Sequence, residues 1–182
     1  MTDYKRERAI FEITAHVPAA WLEHANTLRI ASSPIWEKFV AIRDNPYLDD
    51  SRLKNLAYFR GYMLLSGLAV ENLLKALAVK RGLITSRDGK LKFETPLKPR
   101  DGHALTKIAD TLNIDLTSDE REILRRLQEC VSWAARYPVH LNASADKKAR
   151  DEKKLALHPT DPGVIEGLFK KVSELIEVNL TI

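Results

Sequence analysis

The clearest hydrophobic pattern in the chain runs from residue 51 to residue 81. At 100° per residue, Leu53, Leu56, Ala57, Leu64, Gly67, Leu68 and Ala78 fall on one stripe. From Tyr58 to Val79 the other sides are also largely apolar, through Phe59, Tyr62, Met63, Leu65, Val70, Leu73 and Leu77. A helix apolar all round belongs at the centre of a bundle. Three charged side chains interrupt this stretch, Arg60, Glu71 and Lys75, and all project toward the same stripe.

The flanking segments predict further helices. Residues 19–30 carry Trp21, Leu22, Ala25 and Leu28 at helical spacing, and Ser33 before Pro34 predicts a new helix through Ile35, Trp36, Phe39 and Ile42 to Arg43. Residues 9–17 fit either a strand or a helical turn. Asp101 reads as the cap of a short helix with Leu105, Ile108, Ala109 and Leu112 on its apolar side. Thr117 to Glu120 has the spacing of a capping box and opens a helix with Ile123, Leu124, Leu127, Cys130, Val131 and Ala134. That helix should stop near Arg136-Tyr137-Pro138. Residues 143–154 read as an exposed loop or solvated helical turn, and Asp161-Pro162 starts a last helix over Val164, Ile165, Leu168, Phe169, Val172, Leu175 and Ile176.

One β element interrupts the helices. Leu83 to Arg87 and Lys90 to Phe93 flank Asp88-Gly89, the signature of a type I′ hairpin, because both turn residues must reach positive φ. The prediction is therefore an all-α, antiparallel helical bundle with a small β-hairpin near residues 83–93, in one domain over 1–182. At 45% hydrophobic and 30% charged residues, the chain can bury a sizeable core.

Charge is unevenly placed. Residues 80–100 contain Lys80, Arg81, Arg87, Lys90, Lys92, Lys98 and Arg100 against Asp88 and Glu94, a local net of +5 against +4 for the chain. Arg87, Lys90, Lys92, Lys98 and Arg100 are candidate nucleic-acid contacts, or the polar face of an ordinary solvated hairpin. The single cysteine, Cys130, excludes an internal disulfide framework and a Cys-rich zinc site. No H-E-x-x-H, Walker A, G-x-G-x-x-G or G-x-S-x-G pattern occurs, so neither metal nor cofactor is expected. The polar first residues and the lack of a long apolar stretch predict a cytoplasmic protein with no membrane partner.

Two constellations could carry chemistry. Arg136 and His140 suit metal-independent RNA cleavage, the Arg holding a phosphate and the His moving a proton; alternatively, Arg136 pairs with a core carboxylate such as Glu71 and His140 is a loop residue. Arg60, Glu71 and Lys75 could line a polar cleft, or form a buried ion-pair network in which Glu71 and Lys75 pair at i, i+4. His103, at a helix start, is read as a capping or packing residue.

Gly61-Tyr-Met-Leu-Leu-Ser-Gly-Leu-Ala-Val-Glu71-Asn-Leu-Leu-Lys75-Ala-Leu, then Gly102-His103-Ala-Leu105, then Trp133-Ala-Ala-Arg136-Tyr137-Pro138, resembles the HEPN superfamily of small prokaryotic helical domains. The resemblance implies a helical bundle, usually a homodimer, that works in RNA metabolism, toxin-antitoxin systems or phage defence. It also implies RNA or a nucleotide as ligand and a cognate antitoxin or nucleotidyltransferase-type protein as partner. Catalytic members cut RNA without metal through an Arg and a downstream His, which carries Arg136 and His140 into the role of endoribonuclease residues. Three residues separate the two here, fewer than that pattern has, and Tyr137 stands where a polar neighbour is common. Other members are noncatalytic binding or partner modules, and a purely structural helical dimer is the remaining alternative.

Overall fold

In a computed structural model of the chain, the described residues are 3–43, 51–137, 143–144, 147 and 157–177. They form helices α1 (Asp3–Ala15), α2 (Pro18–Arg43), α3 (Ser51–Lys80), α4 (Leu105–Thr111), α5 (Ser118–Glu129) and α6 (Asp161–Glu177), with strands β1 (Ile84–Arg87) and β2 (Lys90–Phe93) between α3 and α4. The all-α class with a small hairpin is what the sequence predicts. Of the 143–154 segment, Ala143, Ser144 and Lys147 are helical and the rest lies outside the described residues.

Helix α3 is the axis of the bundle. Met63, Leu73, Leu74 and Leu77 are fully buried, and they pack into one core with Ile108 of α4, Leu124 and Leu127 of α5 and Leu168 of α6. By length and composition the stretch Arg52–Lys80 could cross a membrane, but 72% of its apolar window is buried inside the fold. It is therefore a core helix. Gly67 is what lets a second helix come close: a Cβ there would lie 2.5 Å from Val131 Cγ2 and 3.2 Å from the Leu127 carbonyl oxygen. Gly82, at φ 70°, then ends α3 in a Schellman motif, with Leu83 N–H donating to Ala78 O at 2.8 Å and Gly82 N–H to Val79 O at 3.0 Å.

One open alternative is decided and two expectations are corrected. Residues 9–17, which fit either a strand or a helical turn, lie mostly in helix α1, which packs against the hairpin without joining it. Ser33-Pro34 starts no helix, because α2 runs unbroken through Pro34. The ring removes the donor for the Ile30 carbonyl, but Ile30 lies on the exposed side, where water can replace it, and Ala25, Ser32 and Ile42 stay buried along the same helix. Finally, α5 does not stay α-helical to Arg136. It passes at Cys130–Ala134 into a π-helical turn, where Ala135 N–H reaches Cys130 O at 3.3 Å.

Two carboxylates fix the register of α5. Its capping box forms as predicted: Glu120 N–H donates to Thr117 Oγ1 at 3.2 Å, and Thr117 N–H to Glu120 Oε2 at 2.8 Å. Farther along, Arg126 makes a bidentate pair with Asp161 at the start of α6, both contacts 2.6 Å and both side chains buried. Asp161 also accepts the His158 N–H at 2.8 Å, so the residue expected to cap α6 spends its carboxylate on the preceding turn and on α5.

Burial alone would raise the Glu120 carboxyl, but Lys171 at 2.6 Å and the Thr117 amide more than offset it and hold it below its ordinary value of 4.5. A carboxyl lowered in the folded state contributes stability that is complete above about pH 4.5 and is lost as pH falls through the lowered value. The urea midpoint should therefore fall on acidification below that range, and less steeply in Lys171→Met. Asp161→Asn should cost about 3 kcal/mol in urea unfolding, because it removes the bidentate counter-charge of the buried Arg126 guanidinium, and Arg126→Met with Asp161→Leu should recover much of that loss.

Candidate nucleic-acid interface

The hairpin presents its cations on one face. Its register pairs Ile84 with Phe93, Thr85 with Lys92, Ser86 with Leu91 and Arg87 with Lys90. Side chains alternate across a strand, so Arg87, Lys90 and Lys92 share one side with Thr85, while Ile84, Leu91 and Phe93 turn to the core. The turn is type I′, with Asp88 at φ 56° and Gly89 at φ 69°.

Helix α1 braces this turn. Arg8 Nη2 donates to Asp88 Oδ1 at 2.7 Å, Glu12 Oε1 accepts the Gly89 N–H at 2.9 Å and Arg8 Nε at 3.0 Å, and His16 Nε2 accepts the Ser86 N–H at 3.2 Å. The Gly89 amide and then Arg8 hold the Glu12 carboxyl below its usual range. Nothing in the sequence pattern pointed to these three α1 residues: Glu12 and His16 lie in the ambiguous 9–17 segment, and Arg8 is one of the polar residues before it.

After β2 the chain enters a 3₁₀ turn, Pro99–Asp101, with Lys98 and Arg100 exposed. Asp101 is no cap for α4, which starts four residues later. Its carboxylate accepts the Lys98 N–H at 2.9 Å and Lys107 Nζ at 2.7 Å, and the Lys107 ammonium holds it below the usual carboxylate range. The turn therefore locks Lys98 and Arg100 to the start of α4.

The next residue but one reaches the core helix. His103 Nδ1 lies 2.8 Å from Glu71 Oε2, and Lys75 Nζ lies 2.5 Å from Glu71 Oε1. Glu71 is 5% exposed and His103 is 58% exposed, so a buried carboxylate orients an imidazole that faces water. Nδ1 donates to Glu71, and Nε2 has no partner among the described residues. His103 is thus neither a cap nor a packing residue. The shared partner Glu71 was legible, but a residue 32 positions away has no local signature of that contact.

The Glu71–Lys75 pair forms as the spacing predicts, and Arg60 does not join it. Eleven residues at about 1.5 Å each put Arg60 about 16 Å along α3 from Glu71. The Arg60 charge acts instead on Cys130 of the π turn. Burial pushes the Cys130 thiol up to about 12, so it is no nucleophile.

Arg136 leaves the π turn exposed. It does not pair with Glu71, whose carboxylate Lys75 and His103 occupy. Its guanidinium stacks on Tyr137, 5.2 Å from the ring centroid, with Nη2 donating to the Tyr137 hydroxyl at 3.2 Å. Upstream, Trp133 Nε1 donates to Glu129 at 2.8 Å and ties the π turn to α5. His140 lies outside the described residues.

No family model, curated protein or solved structure matches this chain. The interface must therefore be read from its own geometry: a hairpin face with three cations, a turn with two more, and a histidine on a buried carboxylate beside them. Among the described residues, no three His, Cys, Asp or Glu side chains converge as a metal site would require.

Glu71→Gln should destabilise the fold by about 3 kcal/mol, because it leaves Lys75 in the interior without its counter-charge. His103→Ala takes one donor from the buried Glu71 carboxylate and should cost about 1 kcal/mol, less than Glu71→Gln, because water can reach the site the exposed imidazole leaves. Urea unfolding of the two variants separates these effects.

Proposed function

We propose that the protein is an HEPN-like RNA-interacting protein that lays the phosphodiester backbone along the hairpin face and the turn beyond it. One observation carries this reading. Arg87, Lys90, Lys92, Lys98 and Arg100 are all exposed, and none has a carboxylate partner among the described residues, although Asp88 and Asp101 lie beside them. Those two carboxylates are taken by Arg8 and Lys107, which leaves the five cations available to a polyanion. Bracing by α1 fixes their spacing before binding, which lowers the ordering cost.

In this proposal Arg136 holds the scissile phosphate and His140 moves the proton in a metal-independent endoribonuclease, which requires no cofactor. The setting is a cytoplasmic toxin-antitoxin or phage-defence system, with a cognate antitoxin or nucleotidyltransferase-type protein as partner. Pairing of two copies would bring two Arg136 regions together. The exposed side chains of Leu53, Leu56 and Tyr137 supply apolar surface for that contact. A second reading, a noncatalytic binding module, is favoured by the Arg136 guanidinium, which lies on its own neighbour Tyr137.

The test is binding and cleavage of mixed single-stranded RNA in EDTA. Arg87→Ala/Lys90→Ala/Lys92→Ala should weaken binding and lower the slope of log K against log salt by about 2, roughly 0.7 per lost phosphate contact. Cleavage lost in both Arg136→Ala and His140→Ala supports the nuclease; salt-sensitive binding without cleavage supports the binding module. Absence of binding by the wild type at low salt overturns the proposal.

A further inference from the structure

A second site shares no residue with the basic strip. Between α2, α3 and α6 lies a pocket of about 280 Å³. Its walls are aromatic, with Trp36 lying 5.2 Å from Tyr62 between ring centroids and Phe169 contributed by α6. At its rim Arg29 Nη1 meets Glu166 Oε2 at 2.7 Å, and the same guanidinium lies over the Phe169 ring at 5.5 Å. The volume sits at the small end of ligand cavities, which run from roughly 300 Å³ upward, and suits a single ring.

Ser66 supplies the independent observation. It is 2% exposed, lines this pocket, and its Oγ has no hydrogen-bond partner among the described residues. A buried serine within a helix usually donates to a carbonyl one turn back. Ser32, also in the pocket wall, bonds in this backward manner to the Arg29 carbonyl at 2.7 Å; Ser66 does not. Beside it burial pushes the Tyr62 phenol up to about 12, so Tyr62 is a neutral donor at physiological pH, and the Ser66 hydroxyl acts on it without meeting hydrogen-bond geometry. The pocket thus combines a slot for a ring, the neutral hydroxyls of Ser66 and Tyr62 among its lining and a cation at its mouth.

The cation indicates the other end of the ligand. Glu166 is 56% exposed, yet its carboxylate sits on an Arg29 side chain that is two-thirds buried. A carboxylate is therefore already accommodated there, held by a side chain free to swing into water. A ligand carboxylate could take its place on the guanidinium, leaving Glu166 hydrated.

We propose that this pocket binds a single-ring aromatic carboxylic acid with a polar group opposite the carboxylate. The ring lies between Trp36 and Phe169, the carboxylate meets Arg29, and the polar group meets Ser66 and Tyr62.

The test uses 4-hydroxybenzoate, benzoate and phenol, titrated calorimetrically against the full chain. The wild type should bind 4-hydroxybenzoate about tenfold more tightly than either analogue, each of which lacks one of the two polar ends. Ser66→Ala should remove the advantage over benzoate while keeping or raising the melting temperature of the free protein. Arg29→Met should remove the advantage over phenol. Glu166→Gln, which frees Arg29 by a conservative exposed change, should tighten both carboxylates several-fold and leave phenol unaffected. Absence of saturable 4-hydroxybenzoate binding by the wild type, or affinities unchanged in Ser66→Ala and Glu166→Gln, overturns the proposal.

Discussion

A helix that is apolar on every side must be covered on every side, and α3 imposes that requirement on the whole chain. Helix α2 runs antiparallel along it, bringing Ile35 to Gly61 and Trp36 to Tyr62. Helices α4, α5 and α6 close the remaining faces through Ile108, Leu124, Leu127 and Leu168. The hairpin follows from the same constraint. Once Gly82 turns the chain out of α3, Ile84 is buried at once, and the alternation of a strand then throws Arg87, Lys90 and Lys92 outward. The proposed RNA-facing surface is thus a by-product of how the core helix is left.

Charges inside the bundle obey a different rule from those outside. Glu71, Glu120, Arg126 and Asp161 are buried, and each is met by an opposite charge drawn from another element or another turn. Lone ions would be expensive there, so these pairs make each junction specific: α5 to α6 through Arg126, and α3 to the start of α4 through Glu71 and His103. Outside, Asp88 and Asp101 beside the hairpin are taken by Arg8 and Lys107, and the leftover cations face solvent. The pocket under Trp36 departs from both patterns, because Ser66 is buried without satisfaction.

Much of this was legible from local rules. Periodicity identified α3, α5 and α6; the Asp-Gly pair identified the hairpin; the Thr117–Glu120 spacing identified a cap that forms with both reciprocal bonds. Failures came where distant residues decide. Pro34 looked like a start because proline usually begins helices, but burial along α3 carries α2 through it. His103 could not be assigned to Glu71, nor Arg126 to Asp161, since partners 32 and 35 residues apart leave no spacing to read. Arg60 and Glu71 share a stripe in projection, and a projection discards the axial separation that keeps them apart.

The π turn at Cys130–Ala134 carries a consequence for how such a site can change over generations. A π turn is an α-helical turn with one residue added, absorbed without disturbing the helix on either side. Deleting one residue there would restore α-helix and swing everything beyond it by about 100° around the axis. Arg136 would then face another direction, but so would the buried Trp133 and Ala134, and the seat of Val131 against Gly67 would be lost. The extra residue thus ties the aim of the exposed arginine to the seating of Val131, Trp133 and Ala134, and a lineage could re-aim one only by repacking the other.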